Sequence, residues 1–222
     1  YDPSINSCSN DLCLEILEEN TAVITISSFN YYEWNNYAVF KSFLDSSMKV
    51  IENKKIKNLM IDVRYNRGGS QHPSIYLLQH LMDKPFTYYS KVESEGKTDK
   101  TYGEEIFHPV DHRFKGKVYF LIDGNGHSTT GHFMSLVKVH NLGTILGEEL
   151  GSNQFCTAGQ TLFRLSNTKF VVSSANNTHV STAITLPDER GILPDFFVTQ
   201  SIDDYLNKVD AVKNYTLKLI RK

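Results

Sequence analysis

The chain has 222 residues, a formal net charge of −2 and 40% hydrophobic residues, which is typical of a folded globular domain. The near-neutral charge argues against a general affinity for nucleic acid or for an anionic membrane surface. No apolar run approaches the roughly 20 residues that a membrane-spanning helix needs. We therefore expect neither a nucleic-acid partner nor a membrane span.

The first elements in chain order are a peripheral segment followed by alternating strands and helices. Residues 1–20 are rich in turn-forming residues and are expected to be peripheral, with one short helix over residues 11–19. Residues 22–27 predict a strand by their β-branched content. Apolar residues spaced by three and four predict an amphipathic helix over residues 35–53. The continuous apolar run 58–63 predicts a strand that is covered on both faces.

The remaining elements continue the alternation. Residues 73–82 predict a helix, and the polar stretch 91–117 predicts a long surface excursion. A second buried strand is predicted over residues 118–122, a helix over 129–139 and a closing amphipathic helix over 203–219. Short strands are predicted over residues 143–147, 160–165, 169–173, 181–186 and 196–199. This alternation indicates an α/β fold, with residues 21–222 forming one domain.

The chain contains three cysteines, which bear on its compartment. Cys8 and Cys13 are close enough in sequence to form a disulfide in an oxidising compartment, which leaves Cys156 free. Three reduced thiols are the other interpretation. Cys156 has no basic neighbour in sequence that would lower its pKa, so a cysteine nucleophile is not expected.

A serine follows the second buried strand. The strand ends near Asp123, and the glycine-rich turn 124–126 leads to Ser128 at the start of the predicted helix. Serine is a favoured N-cap, so capping is one interpretation of Ser128. The other is a nucleophile at the carboxyl end of a strand, where open α/β sheets bind their ligands.

A pair of glycines follows the first buried strand. Gly68 and Gly69 come after Val63, so their backbone is expected at the same edge of the sheet as Ser128. Taken alone, the pair is explained first by an ordinary strand-to-helix turn. Glycine backbone can also direct N–H groups at a developing oxyanion.

Four segments in order resemble one family of enzymes. They are residues 59–69 (LMIDVRYNRGG), 123–133 (DGNGHSTTGHF), 145–151 (ILGEELG) and 190–195 (RGILPD). They are similar to the Gly-Gly, nucleophile, strand-and-turn and Gly-x-x-Pro-Asp segments of the carboxy-terminal processing (tail-specific) and tricorn-core serine peptidases. The resemblance extends over roughly residues 20 to 200.

The resemblance implies a crotonase-like (ClpP-like) core of stacked ββα units and hydrolysis of peptide bonds through an acyl-enzyme. By position, Ser128 is the nucleophile. The N–H groups of Thr129 and of Gly69, with Gly68 as the alternative, form the oxyanion hole. The substrate is a peptide or an unfolded protein, no cofactor or metal is needed, and the location is periplasmic, in the cell envelope or secreted.

The general base is the main departure from the family pattern. One branch pairs its serine with a lysine, and residues 147–154 contain none. The Ser-His-Glu branch, to which this chain is closer, takes its histidine from an upstream segment that this sequence lacks. We therefore expect the chain to be a fragment of a longer protein, with little peptidase activity of its own.

Local residues are alternatives for the missing catalytic groups. His72 follows the Gly-Gly turn and is the favoured local base, ahead of His132 and His127. Glu189 corresponds by position to the glutamate of the Ser-His-Glu branch, and an exposed turn carboxylate is its other interpretation.

The sequence thus predicts a serine endopeptidase core domain. An inactive family member that binds peptides or small apolar ligands is the first alternative. A crotonase-fold enzyme acting on acyl thioesters is the second, and the helix-initial serine and residues 190–195 argue against it.

Overall fold

The computed structural model describes residues 12–18, 20–30, 37–94, 97–99 and 104–222. The described strands and helices, in chain order, are β1 (Leu12–Leu17), β2 (Thr21–Ile26), α1 (Ala38–Asn53), β3 (Asn58–Asp62), α2 (Gln71–Gln79), β4 (Phe86–Thr87), β5 (Tyr89–Ser94), β6 (Lys97–Asp99), β7 (Ile106–Phe107), β8 (Lys117–Ile122), α3 (Thr129–Val139), β9 (Thr144–Gly147), β10 (Phe155–Arg164), β11 (Val171–Ser181), β12 (Phe196–Phe197), α4 (Ile202–Leu206) and α5 (Ala211–Ile220).

A six-stranded sheet forms the centre of the fold, in the order β1-β2-β3-β8-β9-β12. β1 pairs with β2 antiparallel, and all the other neighbours are parallel. Ile24, Ile61, Phe120 and Ile145 lie side by side in the central register and are fully buried. Parallel strands buried on both faces explain the continuous apolar runs in the sequence, and the predicted α/β fold is confirmed.

Helices cover the two faces of this sheet. One face packs against α1, α2 and α3 in the larger hydrophobic core. Met60, Tyr119, Leu121 and Leu146 point to the other face, where they pack against Val212 of α5. Successive strand residues therefore enter different cores, as the two-residue period of a strand requires. The predicted stacking of ββα units stays a prediction.

A second sheet, in the order β10-β11-β5-β6, lies beside the first. Its β5 and β6 occupy part of the stretch 91–117 that was predicted as a surface excursion, so that prediction is wrong for these residues. The strands pair antiparallel, with Val92 opposite both His179 and Asp99. Cross-strand pairing of this kind depends on β11, which lies far away in sequence, and local periodicity does not reveal it.

The N-terminal part and the closing helix also differ from prediction. Residues 12–17 form β1 rather than part of a helix over residues 11–19, and Leu12 and Leu14 are buried. The predicted helix over 203–219 is two helices, α4 and α5, and the second begins after the N-cap Asp210. The predicted starts at residues 11 and 35 lie outside the described residues.

The cysteines are not all reduced. Cys13 forms a disulfide, and Cys156 is a free thiol. The interpretation of three reduced thiols is therefore wrong. Cys8, the predicted partner of Cys13, lies outside the described residues.

A partly buried arginine connects the end of β3 to the start of α5. Arg64 donates to the carboxylates of Asp62 and Asp210, with nitrogen–oxygen distances of 2.6 and 2.7 Å. Burial raises the pKa of Asp210, but the hydrogen bonds and charge of Arg64 outweigh this effect and leave the pKa below its usual value. This ion pair holds the backbone that enters the Gly-Gly turn.

Two buried histidines make the stability of the fold dependent on pH. Burial lowers the pKa of His80 and of His132 to about 4, whereas a histidine in an unfolded chain titrates near pH 6.5. The unfolded chain therefore binds more protons between these values. Each neutral histidine is therefore expected to make its full contribution to the free energy of unfolding above about pH 6.5. This contribution should fall as the pH drops to about 4, by up to about 3 kcal/mol per histidine.

Urea titrations at pH 7 and pH 4.5 measure this loss. His80→Leu should reduce the pH dependence, because it removes one of the two titrating groups. The substitution breaks no hydrogen bond, since the two ring nitrogens of His80 have no hydrogen-bond partner among the described residues. His112→Asn is the control, because the side chain of His112 is 81% exposed. An undiminished pH dependence in His80→Leu would contradict the prediction.

Candidate active site

The turn before α3 holds Ser128 in an uncommon conformation. The carboxylate of Asp123, just after β8, accepts hydrogen bonds from the backbone N–H groups of Tyr65 and Asn125. Ser128 follows with φ 56° and ψ −124°, and its side chain makes no capping hydrogen bond to α3. The capping interpretation of Ser128 is therefore wrong. A non-glycine residue in such a conformation costs about 1–3 kcal/mol and is found mainly at functional sites.

The Gly68-Gly69 turn meets this serine. A Cβ atom added to Gly68 would lie 2.8 Å from the Cβ of Ser128 and 2.9 Å from the backbone nitrogen of Thr129. Gly68 has φ 86° and Gly69 has φ 139°, conformations that favour glycine. The two strand-end loops therefore touch, as the parallel pairing of β3 and β8 leads one to expect.

Backbone hydrogen bonds distinguish the two glycines. The N–H of Gly68 donates to Oδ1 of Asn66 at 2.8 Å. The N–H groups of Gly69 and Thr129 donate to no acceptor among the described residues, and Oγ1 of Thr129 donates to the carbonyl of Gly69 at 2.5 Å. This arrangement favours Gly69 over Gly68 as an amide donor, because Gly68 is already engaged.

Cys156 is the side-chain partner of Ser128. Its Sγ lies 3.0 Å from the Oγ of Ser128, at the start of β10. Burial raises the pKa of the Cys156 thiol, and the hydrogen bond to Ser128 offsets part of that rise. Sequence reasoning missed this contact, because the two residues are 28 positions apart, Ser128 in the turn before α3 and Cys156 on β10.

The predicted local base, His72, is directed elsewhere. Its ring stacks on Tyr37, with centroids 5.8 Å apart and an interplanar angle of 13°, and its Nε2 lies 3.5 Å from Nε2 of Gln71. No hydrogen bond joins His72 to Ser128 in the described part of the chain. The structure thus brings Ser128, Gly68, Gly69 and Thr129 together, but gives His72 no contact with them.

The other histidines near Ser128 are engaged or exposed. His132 is 1% exposed, and its Nε2 donates to the carbonyl of His179 at 3.1 Å. His127 is exposed beside Gly151. Neither side chain is hydrogen-bonded to Ser128 within the described ranges.

His179 is a residue that sequence reasoning did not single out. It lies directly opposite Cys156 in the β10–β11 pair, so both side chains project from the same face of the sheet. Its ring packs against Tyr89, and partial burial lowers its pKa. The cross-strand register is the only signal that relates His179 to the site.

Glu189 is exposed and makes no hydrogen bond or ion pair with a described residue. The neighbouring acid Glu149 instead accepts hydrogen bonds from Arg190 and from the backbone N–H of Gly191. These hydrogen bonds connect the turn after β9 to residues 190–191. No described contact brings Glu189 to Ser128.

The family of the chain follows from its sequence. The model of peptidase family S41 matches residues 20–198, which is most of the chain. The chain therefore belongs to peptidase family S41, which confirms the resemblance read from the four segments. No curated protein matches the sequence significantly.

Solved structures with the same fold include proteins assigned as peptidases. A Parabacteroides merdae protein of this kind has 16% identity and a TM-score of 0.68, with 96% of this chain and 65% of that chain covered. A Bacteroides fragilis protein assigned to the S41 proteases has 15% identity and a TM-score of 0.63, with 96% and 58% covered.

The photosystem II D1 C-terminal processing protease has the same fold at 13% identity and a TM-score of 0.57, with 81% of this chain and 42% of that chain covered. This chain thus spans less than two thirds of the length of each of the three structures. At these identities the likeness establishes the fold alone.

Proposed function

We propose that this chain is the core of a serine endopeptidase that hydrolyses peptide bonds through an acyl-enzyme on Ser128. The observation that carries the proposal is the state of Ser128. Its hydroxyl does not cap the helix that it precedes, and its strained backbone lies against the Gly68-Gly69 turn. Membership of peptidase family S41 supports this reaction type.

The proposed reaction has two stages. Oγ of Ser128 attacks the peptide carbonyl carbon while its proton passes to a base, and the carbonyl oxygen becomes an oxyanion that accepts from the N–H groups of Gly69 and Thr129. The carbon–nitrogen bond then breaks, and the departing amine takes a proton. Water hydrolyses the resulting ester by the same route and releases Ser128.

The proton acceptor is proposed by position alone. His72 keeps this role from the sequence, and His179 joins it because it shares a sheet face with Cys156. Glu189 keeps its predicted role as the carboxylate that orients or assists the base. A base supplied from outside the described residues is the arrangement implied by the family pattern. In either case the amide donors and the serine belong to this chain.

Covalent labelling tests the proposal directly. In the longest form of the protein that can be produced, an alkyl fluorophosphonate is expected to phosphonylate Ser128, and mass spectrometry of the digested protein locates the adduct. Labelling only at other residues, or none at all, would contradict the role of Ser128.

An extended peptide is the proposed substrate, and the open edge of β10 is its proposed platform. β10 is an edge strand whose described neighbour is β11. The N–H of Ser181 donates to the carbonyl of Gln154, so the alternation of an antiparallel pair turns the backbone of Cys156 towards β11 and that of Thr157 away. Thr157 thus presents its N–H group one residue beyond the thiol that contacts Ser128, and its C=O lies 3.8 Å from Sγ of Cys156.

Proline at this position is expected to weaken peptide binding selectively. Thr157→Pro removes an outward N–H without removing a bond to β11. Labelling of Ser128 by a peptidyl phosphonate should slow by about tenfold, the effect of one lost hydrogen bond at the upper end of the usual range. Labelling by the alkyl fluorophosphonate should not change.

Thr161→Pro is the matched control, because Thr161 is also exposed and lies four residues further along β10. Its backbone N–H and C=O groups point away from β11, as those of Thr157 do. It lies about 13 Å further from Ser128 along the strand. Equal slowing of the peptidyl phosphonate in both variants, or in neither, would count against the platform.

A binding protein without catalysis is the second candidate function. It is favoured by one observation, which is that no histidine side chain of the described residues is hydrogen-bonded to Ser128. Absence of labelling together with retained binding of an extended peptide would support this candidate instead.

Location outside the cytoplasm is also a proposal. The disulfide at Cys13 supports an oxidising compartment such as the periplasm, the cell envelope or the exterior. None of the helices in the described residues is long and apolar enough to cross a bilayer.

A further inference from the structure

The hydroxyl of Ser128 needs a group that sets its direction. A serine side chain has three staggered rotamers, and only one can direct Oγ at a carbonyl held over the Gly68-Gly69 turn. In most serines at a helix start, a backbone N–H fixes the rotamer. That bond is missing here, because Ser128 makes no capping hydrogen bond.

The Cys156 thiol occupies the place of that missing partner. Its Sγ lies 3.0 Å from Oγ, and no other side chain of the described residues is hydrogen-bonded to this hydroxyl. The side chain of Cys156 is partly buried.

Cys156 is itself held in place relative to Ser128. The carbonyl of Gln154 accepts from the N–H of Ser181, and Cys156 pairs with His179 on β11. The carbonyl of His179 in turn accepts from His132, which lies on α3 one turn beyond Ser128. β10, which carries the thiol, is therefore connected through β11 to α3, the helix that begins after Ser128.

The chemistry of a neutral thiol suits a positioning role. Burial raises the pKa of Cys156, so the sulfur carries its proton near neutral pH. If S–H donates to Oγ, the hydroxyl proton remains available for the base, and a second lone pair on Oγ remains for attack. Hydrogen bonds to an oxygen strengthen as negative charge develops on it, so this contact gains strength as Ser128 loses its proton.

We propose that Cys156 is a positioning residue whose thiol sets the rotamer of the Ser128 hydroxyl and directs Oγ at the oxyanion site. This inference rests on the proposed function of Ser128. Cys156 forms no covalent intermediate and acts only through the serine.

Two variants of nearly identical shape test the role. Cys156→Thr supplies a hydroxyl donor, and Cys156→Val lacks one, while both are β-branched and suited to a strand. The second-order rate constant for labelling of Ser128 by the alkyl fluorophosphonate should fall about tenfold in Cys156→Val and stay within about threefold of the natural chain in Cys156→Thr. The thermal midpoints of the two variants should agree.

The outcomes separate this inference from the function on which it rests. Equal labelling rates in the Val variant and the natural chain would overturn the positioning role and leave the peptidase proposal intact. Equally slow labelling in the Thr and Val variants would also overturn the positioning role, because a hydroxyl donor would then fail to replace the thiol. Absence of labelling at Ser128 in the longest form of the protein that can be produced, with its natural sequence, would overturn both proposals. If either variant fails to fold, Cys156→Ser and Cys156→Ala form a second pair with the same expectations.

Discussion

Ser128→Ala is expected to abolish covalent labelling by the fluorophosphonate and to reduce any peptide hydrolysis by about 10⁴-fold or more. The reason is that the proposed reaction forms its covalent bond on Oγ, and no other hydroxyl of the described residues is hydrogen-bonded to Cys156. Labelling followed by mass spectrometry measures the first effect. Hydrolysis of a quenched fluorescent peptide, in the longest form of the protein that is active, measures the second.

The stability of this variant separates a chemical effect from a structural one. Ser128→Ala keeps the Cβ atom at φ 56°, so its thermal midpoint should match that of the natural chain. Ser128→Gly removes the strained Cβ and should be more stable by about 1 kcal/mol, because glycine adopts positive φ without steric cost. Undiminished labelling in Ser128→Ala would show that the reactive group lies elsewhere.

Gly68→Ala is expected to reduce labelling of Ser128 by about 10²-fold or more, the effect of losing one oxyanion donor. The added Cβ would lie 2.7 Å from the carbonyl oxygen of His127 and 2.8 Å from the Cβ of Ser128, at a φ of 86°. Because backbone atoms block it, the two loops must move apart. The amide of Gly69 would then leave the neighbourhood of Ser128, and the unfolding free energy should fall by about 1 kcal/mol or more.

Gly124→Ala is the matched control in the loop that carries Ser128. A Cβ there meets only the carbonyl oxygen of Glu149, at 3.8 Å, and Gly124 has no positive φ. This variant should retain the labelling rate and the thermal midpoint of the natural chain. Natural labelling in Gly68→Ala would contradict the proposal that the contact between the two turns builds the site.

Much of the scaffold could be predicted because its signals are local. The helix at 129–139 has its predicted bounds, and the apolar runs of β3 and β8 are the buried central strands. Parallel strands place their carboxyl ends at one edge, so the meeting of Gly68 with Ser128 could also be anticipated. The conformation of Ser128 could not be, because serine is common both at helix starts and in strained turns.

Other features depended on partners that are distant in sequence. The stretch 91–117 is polar, yet β5 forms there because β11 supplies its backbone hydrogen bonds. Residues 11–19 contain helix-forming side chains, but β1 forms within them because β2 provides a strand on which it can pair. The closing helix is divided, and Asp210 between its parts both caps α5 and bonds Arg64. In each case tertiary pairing overrode local propensity.

The amino-acid sequence by itself determined the α/β alternation, the two glycine-rich strand ends and the serine that follows one of them, since each depends on neighbouring residues and short periodicities. Only the tertiary structure decided that the hydroxyl of Ser128 does not cap its helix, that Gly69 rather than Gly68 has an amide with no acceptor among the described residues, and that Cys156 lies beside the hydroxyl. Those properties depend on distances of about 3 Å between loops and strands far apart in sequence, and such distances are set by how the two sheets pack against α3.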